Sequence, residues 1–281
     1  MSRIRCGIVC HRYENRHKLM EDMPERQEDV DCAMVILKSK PEIEAMRKAG
    51  QLVAACHKAL APMVRPGGTT REIDSFVEDM IVRNGGQPFT KGYKGYPYAT
   101  CMSVNDVIAH GFPGDEPLKE GDIITIDIVA RLDGWLGDSA WTYAVGNIAP
   151  NAQKLMRVTK ECLELGIRRA MPGSRLGDIT SAIQTHAEKN GFGIVRDLLA
   201  HGIGRSLHEQ PSFMHVGKPG KGMRLKEGMV FTIEPMLTEG THYMTIDPDG
   251  WTARTFDRKL AAQYEHTIAL TADGPLVLTA Q

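Results

Sequence analysis

The feature that most constrains the fold of this chain is an internal repeat at an offset of 106 residues (172 − 66). Each copy begins with Pro-Gly and ends with Asn-Gly, where a helix typically stops. The recurring residues are Pro66, Gly67, Ile73, Ser75, Asn84 and Gly85, which return as Pro172, Gly173, Ile179, Ser181, Asn190 and Gly191. Unrelated helices with similar ends could share a Pro-Gly, but six matches at one offset favour two related α+β halves. Such halves would face each other across a shared sheet, with a ligand-binding cleft between them.

An amphipathic helix precedes each copy of the repeat. From Pro41 onward, apolar residues recur three, four or seven positions apart, which is typical of one buried helix face. These residues are Ile43, Met46, Val53, Cys56 and Leu60, and their counterparts before the second copy are Leu155, Val158, Cys162 and Leu165. Thr69 and Glu72 have the spacing of a capping box, which predicts that a second helix begins there and ends at Asn84-Gly85.

Strands are predicted where apolar and β-branched residues alternate or run together, at 122–130, 135–145, 229–234 and 263–270. Asp133-Gly134 separates the first two and is typical of a two-residue hairpin turn. In that hairpin Asp127 lies opposite Ala140, and Asp138 is two residues away on the same face. Diagonal neighbours of this kind are about 7–8 Å apart, close enough to share an ion.

Four carboxylates interrupt these apolar strands: Asp127, Asp138, Glu234 and Glu265. A single one could face solvent at a sheet edge. All four, however, have an ordinary pKa near 4, so each prefers to be ionised at neutral pH. Because burying four negative charges without compensation is prohibitive, the pattern predicts bound cations.

Three histidines complete the candidate site. His201 opens His-Gly-Ile-Gly, His208 follows seven residues later, and His110 stands in Ala-His-Gly-Phe-Pro. We expect His201 and His110 to lie in glycine-rich turns that other groups can approach closely. Four carboxylates and one neutral imidazole carry a charge of −4, which two divalent ions balance. A donor set of oxygens with one nitrogen favours Mn, Fe, Co or Zn over calcium.

Composition excludes several other classes of protein. The net charge is −1, so the broad positive field of a protein that binds DNA through its phosphates is missing. No apolar run approaches the roughly 20 residues of a membrane-spanning helix. The 6 cysteines are scattered, which favours reduced thiols over a disulfide framework. We therefore expect a cytoplasmic protein that contacts neither DNA nor membranes.

The first 35 residues lack helical or strand periodicity. We interpret residues 1–35 as a flexible extension and residues 36–281 as the catalytic domain. Two alternatives remain open for the extension. Cys6, Cys10, His11 and His17 could bind zinc, although their spacing fits no standard zinc-finger pattern. Translation could also begin at Met34, where organised sequence starts.

The ordered set of motifs from about Met34 to the end resembles the type I methionine aminopeptidases, which have the pita-bread metallopeptidase fold. The motifs are Asn105-Asp106-x-x-x-His110-Gly, Asp127, Asp138, His201-Gly-Ile-Gly, His208-Glu, Thr232-Ile-Glu-Pro and Gln263-Tyr-Glu-His. The resemblance implies an α+β fold of two pseudo-symmetric halves around a central antiparallel sheet. This agrees with the repeat found independently.

The resemblance also implies roles for individual residues. Five side chains would bind two metal ions, Asp138 and Glu265 bridging both, Asp127 binding one, and His201 with Glu234 the other. Glu234 would also transfer the proton, and His110 and His208 would contact the scissile amide nitrogen and carbonyl oxygen. The methionine pocket would be formed by Tyr93, Tyr96, Cys101 and Trp251.

The implied activity is removal of the N-terminal methionine from nascent proteins and peptides, with a preference for a small second residue. The implied enzyme is a monomer that associates transiently with ribosomes. Two residues depart from the family pattern: Thr90 stands where relatives often have cysteine, and Leu207 replaces a common aromatic beside His208. Only 26 residues separate His208 from Glu234 (234 − 208), too few for the large insertion of type II enzymes.

Three alternatives share the scaffold. A prolidase or proline aminopeptidase would use the same ligands but usually carries a large N-terminal domain. A creatinase-like enzyme would use the fold without metal, yet every expected ligand is present here. A binding module that recognises peptides or the ribosomal surface would be expected to lose ligands.

Overall fold

The computed structural model describes residues 34–280. The expectations about the extension, its candidate zinc ligands and the start at Met34 concern residues that lie almost entirely outside this range, so they stay predictions. Within the described range the chain forms four α-helices: α1 (Lys40–Leu60), α2 (Thr70–Arg83), α3 (Pro150–Arg169) and α4 (Leu176–Lys189). No helix in this range is long and apolar enough to cross a membrane.

The helix boundaries follow the local sequence signals. Thr69 and Glu72 form the predicted capping box: the Thr69 hydroxyl accepts the backbone N–H of Glu72, and the Glu72 carboxylate accepts that of Thr69. The helix ends at Arg83, and Gly85 follows with a φ of +77°. Such a left-handed backbone favours glycine and stops a helix.

The repeat in sequence is a repeat in structure. Gly67 and Gly173, the glycines of the two Pro-Gly pairs, have φ values of +84° and +92°. Each is followed within ten residues by a 14-residue helix, α2 or α4. The two helix pairs, α1 with α2 and α3 with α4, therefore belong to related halves, as predicted.

Fifteen strands lie within the described residues. They are β1 (Gln87–Pro88), β2 (Thr100–Val104), β3 (Val107–Ala109), β4 (Ile123–Leu132), β5 (Trp135–Ala144), β6 (Gly193–Ile194), β7 (Ala200–Gly202), β8 (Glu209–Phe213), β9 (Val230–Ile233), β10 (Met236–Thr238), β11 (Met244–Ile246), β12 (Ala253–Thr255), β13 (Ala261–Gln263), β14 (His266–Thr271) and β15 (Gly274–Val277).

These strands form four hydrogen-bonded sheets in which every pairing is antiparallel. In the first, β4 pairs with β1, β2 and β5; the largest has the order β15-β14-β9-β7-β8. Two three-stranded sheets, β13-β10-β6 and β11-β12-β3, complete the set. The α+β class is confirmed.

Two strand predictions need correction. Residues 229–234 and 263–270 were each expected to form one strand with its glutamate inside. Instead Glu234 lies in the break between β9 and β10, and Glu265 in the break between β13 and β14. Pro235 follows Glu234 and has no N–H for a ladder. The N–H of Glu265 donates to the carbonyl of Ala140, outside its own sheet, over 2.8 Å.

Each half has its own hydrophobic core. In the first half, residues 40–145, Val53, Val77 and Ile126 are fully buried between α1, α2 and the β4–β5 hairpin. In the second half, Val158 of α3 and Ile183 of α4 are fully buried in a cluster with strand residues. Burying each such side chain contributes about 1.5–3 kcal/mol. The candidate site lies on strands and strand ends that these two cores support.

Candidate metal centre

The β4–β5 hairpin positions the first two candidate ligands. Asp133 and Gly134 form its turn with φ values of +51° and +78°, the signs that a type I′ turn requires. The register pairs Asp127 with Ala140 and Val129 with Asp138. Asp127 and Asp138 therefore share one face of the sheet, as the sequence predicts.

Glu265 is brought to this hairpin from the second half by a set of crossed hydrogen bonds. The Ser139 hydroxyl donates to the carbonyl of Glu265 over 2.7 Å. The Thr267 hydroxyl accepts the backbone N–H of Asp138 over 3.2 Å and donates to its carbonyl over 2.8 Å. As a result, one carboxylate oxygen from each of Asp127, Asp138 and Glu265 lies within 4.8 Å of the others.

His201 and Glu234 border this trio. Nε2 of His201 lies 3.7 Å from Oδ2 of Asp138 and 3.8 Å from Oε1 of Glu234. His201 lies in β7 and not in the expected glycine-rich turn, because its backbone pairs with β8 opposite Ser212. The structure therefore brings together all five residues that the sequence predicts as metal ligands.

The tautomer of His201 suits metal binding. Its Nδ1 lies 3.0 Å from the carbonyl oxygen of Gly202, which can only accept, so Nδ1 carries the proton. Burial lowers the pKa of His201 to about 4 and keeps the ring neutral. The lone pair of Nε2 is then available beside Asp138 and Glu234.

The pKa values of the four carboxyl groups in this cluster show that their negative charges are uncompensated. Burial raises the pKa of Asp127 and of Glu234, and it raises those of Asp138 and Glu265 still further, where neighbouring carboxylates add to the effect. Within the described residues, Oδ1 of Asp127 and Oδ1 of Asp138 are buried without a hydrogen-bond partner. Buried, unpartnered carboxylate oxygens beside a neutral imidazole fit divalent cations.

His110 lies beside Trp251. It follows β3 with a φ of +58°, an uncommon backbone conformation for a side chain with a Cβ. Burial lowers its pKa. The ring centres of His110 and Trp251 are 6.3 Å apart with the rings nearly perpendicular, and Trp251 packs edge-to-face with Tyr96 at 5.1 Å between ring centres.

Cys101 connects this aromatic group to the carboxylates. It lies directly opposite Asp127 in the β2–β4 pair, so both side chains are on the same face. Tyr96 is fully buried, and its hydroxyl donates to the carbonyl of Gly111 over 2.8 Å, next to His110. Three of the predicted pocket residues, Tyr96, Cys101 and Trp251, thus lie together.

Tyr93 and His208 lie next to each other, and His208 lies next to His201. The ring centres of His201 and His208 are 4.3 Å apart. The Tyr93 hydroxyl lies 2.8 Å from Nδ1 of His208. Partial burial, with the neighbouring His201 ring, lowers the pKa of His208 to about 3.

The two departures from the family pattern have different surroundings. Leu207 is buried in an apolar cluster with Met46, Leu136 and Ile203, so its side chain contributes to the core. Thr90 is 9% exposed, and its hydroxyl has no hydrogen-bond partner among residues 34–280.

Comparison with known proteins identifies the family. The chain matches metallopeptidase family M24 over residues 44–272. Methionine aminopeptidase A of Synechocystis sp. is 50% identical over 246 residues, which cover 87% of this chain and 97% of the relative. The chain belongs to metallopeptidase family M24, among the methionine aminopeptidases. Methionine aminopeptidase 1 of Bacillus subtilis is 48% identical, covering 88% of this chain and 99% of that protein.

Solved structures of M24 members confirm the pita-bread fold. The crystal structure of methionine aminopeptidase from Rickettsia prowazekii matches with a TM-score of 0.87 and 41% identity, covering 88% of this chain and 100% of that one. Prolidase from Pyrococcus furiosus matches with a TM-score of 0.70 at 23% identity, a likeness of fold alone. The prediction of a metal-dependent peptide hydrolase is also confirmed.

Two residues that hold the candidate ligand Glu234 in place were not assigned a role from the sequence. The Thr232 hydroxyl donates to Oε1 of Glu234 over 2.7 Å. The backbone N–H of Glu234 donates to Nε2 of His215 over 3.1 Å, and burial lowers the pKa of His215 to about 3, so this imidazole is a neutral acceptor. The separation of two residues between Thr232 and Glu234 is a signal that could have found the first contact; His215 has no comparable local signal.

Proposed function

We propose that this chain removes the N-terminal methionine from peptides and nascent proteins as an aminopeptidase with two metal ions. The observation that carries the proposal is the convergence of four carboxylates, three of them buried and Asp127 half-buried, and a neutral imidazole between the two halves. The names of the relatives support the substrate, since they are methionine aminopeptidases over nearly their whole length.

The assignment of ligands rests on charge and position. Asp138 and Glu265 would contact both ions, Asp127 one, and His201 with Glu234 the other. Four carboxylates balance two divalent cations, and the donor set suits Co, Mn, Fe or Zn. Such cations supply Lewis acidity that polarises a peptide carbonyl and lowers the pKa of water.

The protein's own residues then handle the proton and orient the peptide. Glu234 accepts a proton from the attacking water and passes it to the leaving amine, and its hydrogen bond from Thr232 keeps one oxygen in place. His208 donates a hydrogen bond to the carbonyl oxygen. His110 contacts the amide nitrogen.

The methionine side chain would lie among Tyr93, Tyr96, Cys101 and Trp251. Thioether groups make favourable contacts with aromatic edges, and the edge-to-face packing of Trp251 on Tyr96 provides such a surface. The preference for a small second residue completes the proposed specificity.

The cellular context is part of the proposal as well. Cys56, Cys101 and Cys162 are free thiols, which supports a reducing, cytoplasmic environment. We propose that the enzyme works as a monomer and meets its substrates by transient association with ribosomes. Sedimentation with and without translating ribosomes tests both statements.

Peptide hydrolysis tests the activity. The purified enzyme, loaded anaerobically with Mn²⁺, is offered Met-Ala-Ser, Met-Leu-Ser and Ala-Pro-Ser. We expect release of methionine from Met-Ala-Ser, much slower release from Met-Leu-Ser and no cleavage of Ala-Pro-Ser. Faster cleavage of the proline peptide would replace the proposal with an aminopeptidase that cleaves before proline.

Two variants test the assigned roles. Glu234→Gln and His110→Ala should each lower kcat by about 100-fold or more while KM changes little, because proton transfer and orientation act in the transition state. His242→Ala, a half-buried histidine outside the site, is the matched control. Full activity in either variant would contradict its role.

A further inference from the structure

One hydrogen bond joins the loops of the two halves at the mouth of the site. The Tyr93 hydroxyl lies 2.8 Å from Nδ1 of His208. Tyr93 belongs to the loop between β1 and β2, and His208 to the loop between β7 and β8. The ring of Tyr93 was assigned above to the methionine pocket, but its hydroxyl has a separate partner.

The loop around Tyr93 holds the hydroxyl in place. The N–H of Gly92 donates to the carbonyl of Tyr96 over 2.7 Å, and the N–H of Tyr93 donates to the carbonyl of Thr90 over 3.0 Å. The Tyr93 ring packs on Phe89 at 5.6 Å between ring centres. Backbone hydrogen bonds and ring packing, therefore, determine where the hydroxyl lies.

The loop that contains His208 is also held in place, by contacts of the neighbouring Glu209. The carboxylate of Glu209 accepts the backbone N–H groups of Arg205 and Ser206 over 3.1 and 3.2 Å. It also forms a buried ion pair with Lys38. With the backbone held in this way, the choices left to His208 are the rotation of its ring and the position of its proton.

The Tyr93 hydroxyl is the hydrogen-bond partner of Nδ1 in this ring. A neutral imidazole has one accepting and one donating nitrogen, and the phenolic O–H is a good donor. When Tyr93 donates to Nδ1, the ring proton resides on Nε2. We infer that Tyr93 is a positioning residue whose hydroxyl holds His208 in the Nε2–H tautomer.

This tautomer is the one that the reaction requires. A peptide carbonyl oxygen can only accept, so His208 must present an N–H to it. The hydrogen bond made by one ring nitrogen of a histidine commonly determines whether the other nitrogen carries the proton. The inference rests on the proposed function, because the need for an N–H at Nε2 is what assigns Tyr93 as the donor to Nδ1.

The first experiment separates the hydroxyl of Tyr93 from its ring. Tyr93→Phe keeps the pocket surface, so KM for Met-Ala-Ser should stay within about twofold while kcat falls about three- to tenfold, the range expected for one neutral hydrogen bond. Tyr98→Phe, in the same loop, is the control and should retain the unmodified kcat. An unchanged kcat in Tyr93→Phe, or a loss confined to KM, would overturn the inference.

The second experiment observes the tautomer without using activity. Long-range ¹H–¹⁵N spectra of the zinc-loaded protein, with His208 assigned from His208→Gln, should show a protonated Nε2 and a bare Nδ1. In Tyr93→Phe the two tautomers should mix. A proton on Nδ1 in the unmodified protein would overturn the inference. Failure of the unmodified enzyme to release methionine would instead count against the proposed function.

Discussion

The hydroxyl of Thr232 donates to Oε1 of Glu234 over 2.7 Å and accepts the backbone N–H of His201 over 3.0 Å. One buried side chain thus contacts two of the proposed metal ligands, His201 in β7 and Glu234 just after β9. Because it is bonded to both, it limits how far Glu234 can rotate away from His201.

Removal of this hydroxyl should weaken metal binding. We predict that Thr232→Val lowers the affinity for Mn²⁺ by about tenfold or more, the usual cost of losing a residue that orients a ligand. Calorimetric titration of the metal-free protein measures this. Thr238→Val is the matched control, since Thr238 is equally buried but donates to the carbonyl of Thr241. Equal affinities for the two variants would show that Thr232 has no such role.

Glu265→Gln should stabilise the metal-free protein against unfolding. It should also abolish the stabilisation that bound metal gives to the unmodified protein. Burial and the charges of Asp138, Glu234 and Asp127 raise the pKa of Glu265 in the folded state. The folded state therefore binds more protons, and this carboxyl costs stability as pH rises above its ordinary value of 4.5. At pH 8 we therefore expect Glu265→Gln to be more stable than the unmodified metal-free protein.

Chemical unfolding of that variant in EDTA and in Mn²⁺ measures both effects. The gain should vanish below pH 4.5, where the carboxyl is protonated in both states. Glu164→Gln, at an exposed position of α3, should show neither effect. A Glu265→Gln protein that is less stable without metal, yet still stabilised by Mn²⁺, would contradict the assignment.

Much of the site could be predicted because its determinants are local. Asp133-Gly134 selects a type I′ turn, and the turn alone places Asp127 opposite Ala140. The apolar strands around Glu234 and Glu265 likewise indicated burial. What the local pattern missed is that each glutamate lies in a break between strands. These breaks arise from contacts with distant elements, such as the bond from Glu265 to Ala140.

The contacts between distant parts of the chain could not be predicted from patterns. Lys38 is 171 positions from Glu209, yet their side chains form a hydrogen-bonded ion pair beneath the His208 loop. A lysine near the start of an exposed segment normally remains in solvent. Only the folded chain shows that Lys38 enters the interior, where 3% of its side chain is exposed.

That ion pair yields a stability prediction. Lys38→Met removes one partner and leaves the carboxylate of Glu209 buried, which typically costs about 3–5 kcal/mol. Arg83→Met removes one partner of a surface pair with Asp79, both largely exposed, and should change stability little. Urea unfolding of the two variants makes the comparison. A loss in Lys38→Met no larger than in Arg83→Met would show that the Glu209 carboxylate needs no partner.

The buried side chain of His57 should make the stability of the protein depend on pH. It is fully buried, with Nε2 donating to the carbonyl of Ser139 over 3.0 Å. Burial lowers its pKa from 6.5 to about 4, so between these values the unfolded state binds more protons. This residue should therefore cost about 1.4 kcal/mol of stability per pH unit as pH falls from 6.5 towards 4.

The comparison with His57→Gln isolates this effect. From pH 7 to pH 5, the unfolding free energy of the unmodified protein should fall by about 2 kcal/mol relative to that of the variant. Guanidinium unfolding at the two pH values measures it. A difference that is independent of pH would mean that His57 does not titrate on unfolding.

Asp127, Asp138, His201, Glu234 and Glu265 are proposed to form one centre for two metal ions. Anomalous diffraction from crystals loaded anaerobically with Mn²⁺ tests this arrangement most directly. We predict two peaks about 3.5–4 Å apart, with Asp138 and Glu265 in contact with both. A single peak, or peaks away from these five side chains, would contradict it.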